Sequence, residues 1–152
     1  MDNLEKMESL KDDLDAARQA GDAKAEAEAL YGIGRLYFKD GVLEAAEDFW
    51  EQCRRVCLKN DMRGALIQVL LDLSETALAR GDDAEGAANR LLEAEAEARE
   101  KGLIREPSKI LDRKGGLAIR RDDAEGAAAA FGEGLEICRR HDDRIGSLYF
   151  LE

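Results

Sequence analysis

The sequence Asp82-Asp83-Ala84-Glu85-Gly86-Ala87-Ala88 recurs unchanged at residues 122–128, which lie 40 positions later in the chain. A looser copy, Asp-Gly-Val-Leu-Glu-Ala-Ala, occupies residues 40–46. A second series of helix-interrupting pairs lies between these copies, at Gly21-Asp22, Asn60-Asp61, Gly102-Leu103 and His141-Asp142. Two interleaved breaks in each period indicate two helices per period.

The residues at the breaks have the chemistry of helix ends. Gly and Asn, and less readily His, tolerate the left-handed conformation that ends a helix, and Asp can cap the helix that follows. Asp82 with Glu85, and Asp122 with Glu125, have the spacing of a capping box. Because capping explains every copy, these carboxylates do not indicate a catalytic or metal-binding cluster.

Apolar residues recur at helical spacing between the breaks, as in Leu30, Ile33 and Tyr37. The chain has one proline, Pro107, which fits the first turn of a helix. We therefore expect an all-α fold without a β-sheet. The predicted helices are 2–20, the pairs 23–39 with 42–58, 62–80 with 83–100 and 106–120 with 123–140, and a last helix from near 143.

This pattern resembles the tetratricopeptide repeat (TPR) family in its longer, forty-residue form. Leu30, Ile33, Gly34 and Tyr37 have the family's large, apolar, small and aromatic order in a first helix. The resemblance implies a right-handed α-solenoid of stacked antiparallel helix pairs, a TPR-like superhelix whose first helices line a concave groove. It implies a single helical-repeat domain, 1–152, with half-repeats at each end and three full repeats at 23–58, 62–100 and 106–140.

The third repeat departs from the family pattern in its first helix. Lys114 stands where the small residue is expected, and Arg113 stands where an apolar residue is expected. Gly115 and Gly116 follow, and each glycine in a helix costs roughly 1 kcal/mol relative to alanine. These residues leave two alternatives open, a different register and a kink.

The helical periodicity of the first helices predicts which of their residues face the implied groove. An apolar floor would consist of Tyr31, Phe38, Leu71, Leu78 and Leu111, and such a groove suits an amphipathic helix or an extended apolar peptide. The alternative is that the leading or final helix packs on these residues as ordinary core. The predicted groove residues are Glu28, Tyr31, Arg35, Phe38 and Lys39, then Gln68, Leu71, Glu75, Leu78 and Ala79, then Ser108, Leu111 and Ala118.

The charge of the chain restricts the class of partner. Asp and Glu number 34 against 23 Lys and Arg, which gives a net charge of −11. Repulsion from phosphate argues against nucleic acid, and an acidic surface favours a neutral or basic segment of a partner protein. Some TPR proteins clamp an acidic C-terminal peptide with Lys, Arg and Asn. The matching positions here begin with Tyr31 and Arg35 and continue with apolar residues, so the clamp is incomplete and an acidic peptide is not the expected ligand. No apolar run approaches the ~18 residues of a membrane span.

No motif of an enzyme or cofactor site is found in the sequence. Cys53 and Cys57 lie on one helix face, where small residues of the other repeats indicate core positions. Cys138 and His141 supply two metal ligands, whereas a zinc site needs three or four from the protein. We therefore expect a non-catalytic protein–protein interaction module with a scaffold or regulatory role, and no cofactor or metal.

The two ends of the chain lead to further expectations. No basic stretch precedes an apolar segment at the start, and three cysteines are an odd number, so we expect a cytoplasmic protein. The segment with Ile145, Leu148, Tyr149 and Phe150 resembles an unpaired first helix, which either packs on the third helix pair or meets the same edge of a second chain. The second case gives the alternative function, a structural self-association unit that forms a homodimer. The alternative is that a longer parent protein covers this edge and this chain is a fragment of it. Leu151-Glu152 at the end of the chain resembles a cloning remnant.

Overall fold

The chain forms seven α-helices and no strand within residues 2–81, 83–101 and 105–140, which are the residues that the computed structural model describes. The predicted all-helical fold is confirmed for these residues, and each boundary lies within one residue of the prediction. The last predicted helix, from near 143, lies outside them. The helices are α1 (Asn3–Ala20), α2 (Ala23–Lys39), α3 (Leu43–Lys59), α4 (Arg63–Gly81), α5 (Ala84–Lys101), α6 (Arg105–Arg120) and α7 (Ala124–Arg140).

The helix caps differ from the predicted capping boxes by one residue. The backbone N–H of Gly86 donates to Asp83 Oδ1, and that of Gly126 donates to Asp123 Oδ1, each at 2.9 Å. The prediction that Asp122 caps α7 is therefore wrong. Asp122 has a φ of 57° and provides the left-handed residue that follows α6, a conformation that Asp tolerates better than most residues.

Each helix packs on the next one in the chain, and α4 also contacts α6. The α4 helix has the largest share of the core, because both its neighbours in sequence and α6 cover it. None of the described helices combines the length and the apolar character that crossing a membrane requires. The buried residues of α4 are Leu66, Ile67, Val69, Leu70, Leu71, Leu73, Ser74 and Thr76.

Glycines in α2 and α6 lie against large side chains of the helix that follows. A Cβ atom on Gly34 would overlap the indole ring of Trp50, and a Cβ atom on Gly115 would overlap the ring of Phe131. Since neither glycine has a side chain, α2 can approach α3 closely and α6 can approach α7 in the same way. The large ring then fills the space between the two helices.

The contact of Gly115 corrects the expected register of α6. The 40-residue period puts Lys114 at the small-residue position, but Gly115 makes that contact, and Lys114 Nζ instead lies 3.2 Å from Glu95 Oε2. A long charged side chain does not fit against Phe131, so the residue that contacts Phe131 is Gly115, one position later in α6 than the 40-residue period predicts. The α6 helix is continuous through Gly115 and Gly116.

Candidate binding face

The predicted groove residues divide into exposed, half-buried and buried positions. Leu71 and Leu111 are 2% and 6% exposed and belong to the chain's own interior. They therefore cannot form an exposed apolar floor, and for these two residues the core alternative holds. Glu28, Arg35, Lys39 and Ala79 are exposed, whereas Tyr31, Phe38, Gln68, Glu75, Leu78 and Ala118 are half-buried. The side chain of Ser108 lies outside the described residues.

The burial of Leu111 has a structural reason in the register of α6. Gly115 takes the position of Gly34, so Leu111, four residues earlier, takes the core position of Leu30. Asp112 then occupies the position that Tyr31 has in α2. A shift of one residue rotates a helix by about 100°, which is enough to exchange a core position for a surface one.

Tyr31 connects α2 to α3 and α4 through three contacts. Its hydroxyl donates to Asp72 Oδ2 at 2.5 Å, and its ring stacks on Trp50 with the centroids 6.1 Å apart. Trp50 Nε1 in turn donates to the Tyr31 carbonyl at 3.1 Å. Burial, and then the hydrogen bond to Asp72, raise the pKa of Tyr31 well above its ordinary value. Tyr31 is therefore a neutral hydrogen-bond donor at physiological pH.

Asp72, the partner of Tyr31, was not among the residues predicted from the sequence. It lies between Leu71 and Leu73 on the most buried helix, and burial is the main reason that its pKa is raised. Gln68 Nε2 also approaches Asp72 Oδ2, at 3.4 Å. The sequence did contain a signal for Asp72, because an Asp inside an apolar run of a helix needs a polar partner from elsewhere in the chain.

A first cavity, of about 300 Å³, lies between α2, α3 and α4 near the start of α2 and α4. Its wall consists almost entirely of apolar atoms. Of the eight residues that line it, Glu28, Tyr31 and Gln68 were predicted as groove residues and five were not. The lining residues are Lys24, Ala27, Glu28, Tyr31, Cys53, Met62, Ala65 and Gln68.

A second cavity, of about 320 Å³, lies further along α4, where α4 faces α6. Phe38, Glu75, Leu78 and Ala79 were predicted as groove residues. This cavity is more polar than the first, and Arg113 Nη1 lies 3.3 Å from Glu75 Oε2. The lining residues are Phe38, Ser74, Glu75, Leu78, Ala79, Ala87, Leu91, Asp112, Arg113, Gly116, Leu117, Arg120 and Phe131.

We define the inner face as the surface around these two cavities on α2, α4 and α6. It contains most of the predicted groove residues, although Arg35 and Lys39 line neither cavity. The Arg35 guanidinium lies 6.0 Å from the centre of the Tyr31 ring. The predicted self-association residues Ile145, Leu148, Tyr149 and Phe150 lie outside the described residues.

The cysteines of α3 are part of the interior beneath the first cavity. Cys53 and Cys57 are free and buried, and Cys53 Sγ donates to the Ala27 carbonyl at 3.5 Å. The neighbouring Cys57 thiol, and burial, raise the pKa of Cys53. Among the residues that the structure describes, no three His, Cys, Asp or Glu side chains are grouped so that they could hold a metal ion. His141 lies outside these residues.

Comparisons with known proteins give a likeness of fold. No protein-family model matches the sequence, and no curated protein matches it. Among solved structures, the chain is similar to the crystal structure of BtubC (BKLC) from P. vanneervenii, with a TM-score of 0.78 and 18% sequence identity. The match covers 94% of this chain and 59% of BtubC, so the chain spans about three fifths of that protein's length. At this identity the likeness concerns the fold alone.

Proposed function

We propose that this chain is a non-catalytic protein–protein interaction module of the tetratricopeptide repeat type. Its inner face binds a peptide or a helix of a partner protein, in a scaffold or regulatory role. In this proposal the pairs α2–α3, α4–α5 and α6–α7 are antiparallel repeats stacked in a right-handed solenoid, and α1 is a half-repeat. The inner face is then the concave side of that solenoid.

The observation that carries the proposal is the position of the two cavities. Both open between consecutive first helices of the proposed repeats, the first between α2 and α4 and the second between α4 and α6. Concave, mostly apolar sites with a few polar groups are typical binding sites. Seven of the predicted groove residues line one or the other cavity.

The repeat assignment is supported by equivalent contacts 81 residues apart, since Gly34 lies against Trp50 as Gly115 lies against Phe131. The likeness of fold to BtubC is compatible with it.

The charge supports a neutral or basic segment as partner rather than nucleic acid. The inner face itself carries both signs, with Lys24 and Glu28 beside the first cavity and Glu75 paired with Arg113 at the second. Local charge therefore selects weakly between partners. The net charge of −11 acts over a longer range, where it attracts basic segments and repels acidic ones, so neutral or basic segments are favoured over acidic ones.

Selection from a phage-displayed peptide library tests this proposal. Ala65→Trp and Ala79→Trp each place a large ring at an exposed position lining one cavity, and Ala96→Trp adds the same ring at an exposed position of α5. We expect peptides selected on the unaltered chain to lose at least tenfold in affinity for one of the two cavity variants. Their affinity for Ala96→Trp should stay the same.

Two results of this selection would contradict the proposed function. One is a library from which no peptide is enriched. The other is a set of peptides whose affinity falls equally for the cavity variants and for Ala96→Trp, because binding would then not depend on the inner face. Light scattering of each sample shows whether self-association accompanies the loss of binding.

A further inference from the structure

The first cavity lies where α2 has a smaller side chain than α4 has at the equivalent position. Residues 40 positions apart in these two helices match in burial, as Leu30 and Leu70 do. Ala27 is 3% exposed, and its equivalent Ile67 is 1% exposed. The chain therefore fills this position with isoleucine in one repeat and leaves a methyl group in the other, beside an open cavity.

The wall of the cavity is suited to an apolar group. Ala27, Ala65 and Met62 contribute carbon and sulfur atoms, and the Cys53 thiol on the wall is held in its neutral form by its raised pKa. Unfilled apolar space forfeits packing contacts. A volume of about 300 Å³ is at the lower end of the range for ligand sites, which is roughly 300–1,000 Å³.

Two of the polar groups at this cavity already have a partner within the chain. The Tyr31 hydroxyl and the Gln68 amide both lie within hydrogen-bond distance of Asp72. A charged or strongly polar group entering the cavity would lose its hydration against a wall that is almost entirely apolar. Lys24 and Glu28 are exposed at its edge, where the backbone and the polar neighbours of an incoming residue would lie.

We infer that the first cavity binds one apolar side chain of the partner, of the size of leucine, methionine or phenylalanine, as an anchor. This inference rests on the proposed function and adds to it the chemistry of the residue that is recognised. The anchor occupies the space that Ile67 fills in the next repeat. It buries apolar surface that both molecules otherwise expose to water.

The chain contains its own reporter for this binding. Met62 lines the cavity, whereas Met7 lies on α1 outside it. We propose to label the methionine methyl groups with ¹³C and to titrate the protein with N-acetyl-leucinamide and, separately, with N-acetyl-alaninamide at millimolar concentration. The leucine compound should shift the Met62 methyl signal several-fold more than the alanine compound does. The Met7 signal should stay in place.

Variants that fill the cavity complete the test. Ala27→Ile places the chain's own equivalent residue in the cavity, and Ala65→Leu fills it from the exposed rim, so the test survives if one variant does not fold. Ala96→Leu on α5 is the matched control. We expect the Met62 shift to be lost in both cavity variants and retained in the control. An equal response to the two compounds, or a shift that persists in both cavity variants, would overturn the inference.

The failure of this inference is distinguishable from the failure of the proposed function. Peptides selected from the library that bind Ala27→Ile as tightly as the unaltered chain would overturn the anchor and leave peptide binding on the inner face intact. A library without any enriched peptide would contradict the proposed function whatever the Met62 signal does. Peptides that share an apolar residue and lose at least tenfold in affinity for Ala27→Ile would support both.

Discussion

Tyr31 and Asp72 form a polar contact between α2 and α4, and its strength can be measured with one substitution. Tyr31→Phe removes the hydroxyl that donates to Asp72 but keeps the ring on Trp50. We expect the free energy of unfolding to fall by about 1 kcal/mol at neutral pH, because Asp72 loses the hydrogen bond that the Tyr31 hydroxyl donates. Urea denaturation measures this loss. Tyr37→Phe is the control, since that ring stacks on Phe49, and a loss equal to that of Tyr31→Phe would contradict the prediction.

The raised pKa of Asp72 predicts a pH dependence of stability with a definite sign. Because burial raises this pKa above its ordinary value of 3.8, the folded state binds the Asp72 proton more tightly than the unfolded state. The contribution of Asp72 to stability is therefore complete below the ordinary value. It is lost as the pH rises through the pKa of the folded state.

Asp72→Asn removes this pH dependence and provides the comparison. The free energy of unfolding of the unaltered chain, minus that of Asp72→Asn, should fall as the pH rises from below 3.8 toward neutrality. Denaturation at a series of pH values measures it. A difference that stays constant or rises over this interval would show that Asp72 is not a destabilised carboxylate in the folded chain.

Adjacent glycines of α6 test the register of that helix. A Cβ atom at Gly115 would overlap Phe131, whereas one at Gly116 would meet no atom within 4 Å. We expect Gly115→Ala to lower the free energy of unfolding by about 1–3 kcal/mol through overpacking. Gly116→Ala should raise it by up to about 1 kcal/mol, as alanine does in a helix. Chemical denaturation of both variants measures these changes, and a Gly115→Ala variant as stable as Gly116→Ala would contradict the register with Gly115 at the contact.

The two cavities together predict the spacing of contacts along a bound partner. Gln68 lines the first cavity and Leu78 lines the second, and ten residues of helix between them span about 15 Å. An extended segment covers this distance in about five residues and a helix in about ten. An alanine scan of a selected peptide should therefore find two sensitive positions at one of these spacings.

Two variants assign these positions to the cavities. Ala27→Ile should abolish the sensitivity of the first peptide position, and Ala79→Trp that of the second, because each fills one cavity. If both variants affect the same peptide position, the partner does not span the inner face. This experiment concerns the whole molecule, since the separation of the cavities depends on how α2, α4 and α6 are arranged.

Helix positions could be predicted because their signals are local. Asp22 caps α2 through the Ala25 N–H, and Gly21 with a φ of 66° ends α1, as their residue types indicated. Apolar spacing and caps involve residues within one or two turns of each other, so they are readable without knowledge of the rest of the chain. The seven helices were therefore predicted to within one residue.

The composition of the candidate site depended on contacts between helices that are distant in sequence. Tyr31 and Leu71 share a repeat position, yet Tyr31 is half-buried and Leu71 is covered, because α4 has neighbours on more sides than α2. Asp72 was missed because its partner lies 41 residues away. The first cavity, likewise, is lined by residues of different helices, such as Ala27 of α2 and Ala65 of α4. Helical periodicity specifies which side of its own helix a residue occupies, but burial is set by the neighbours that the other helices bring to that side.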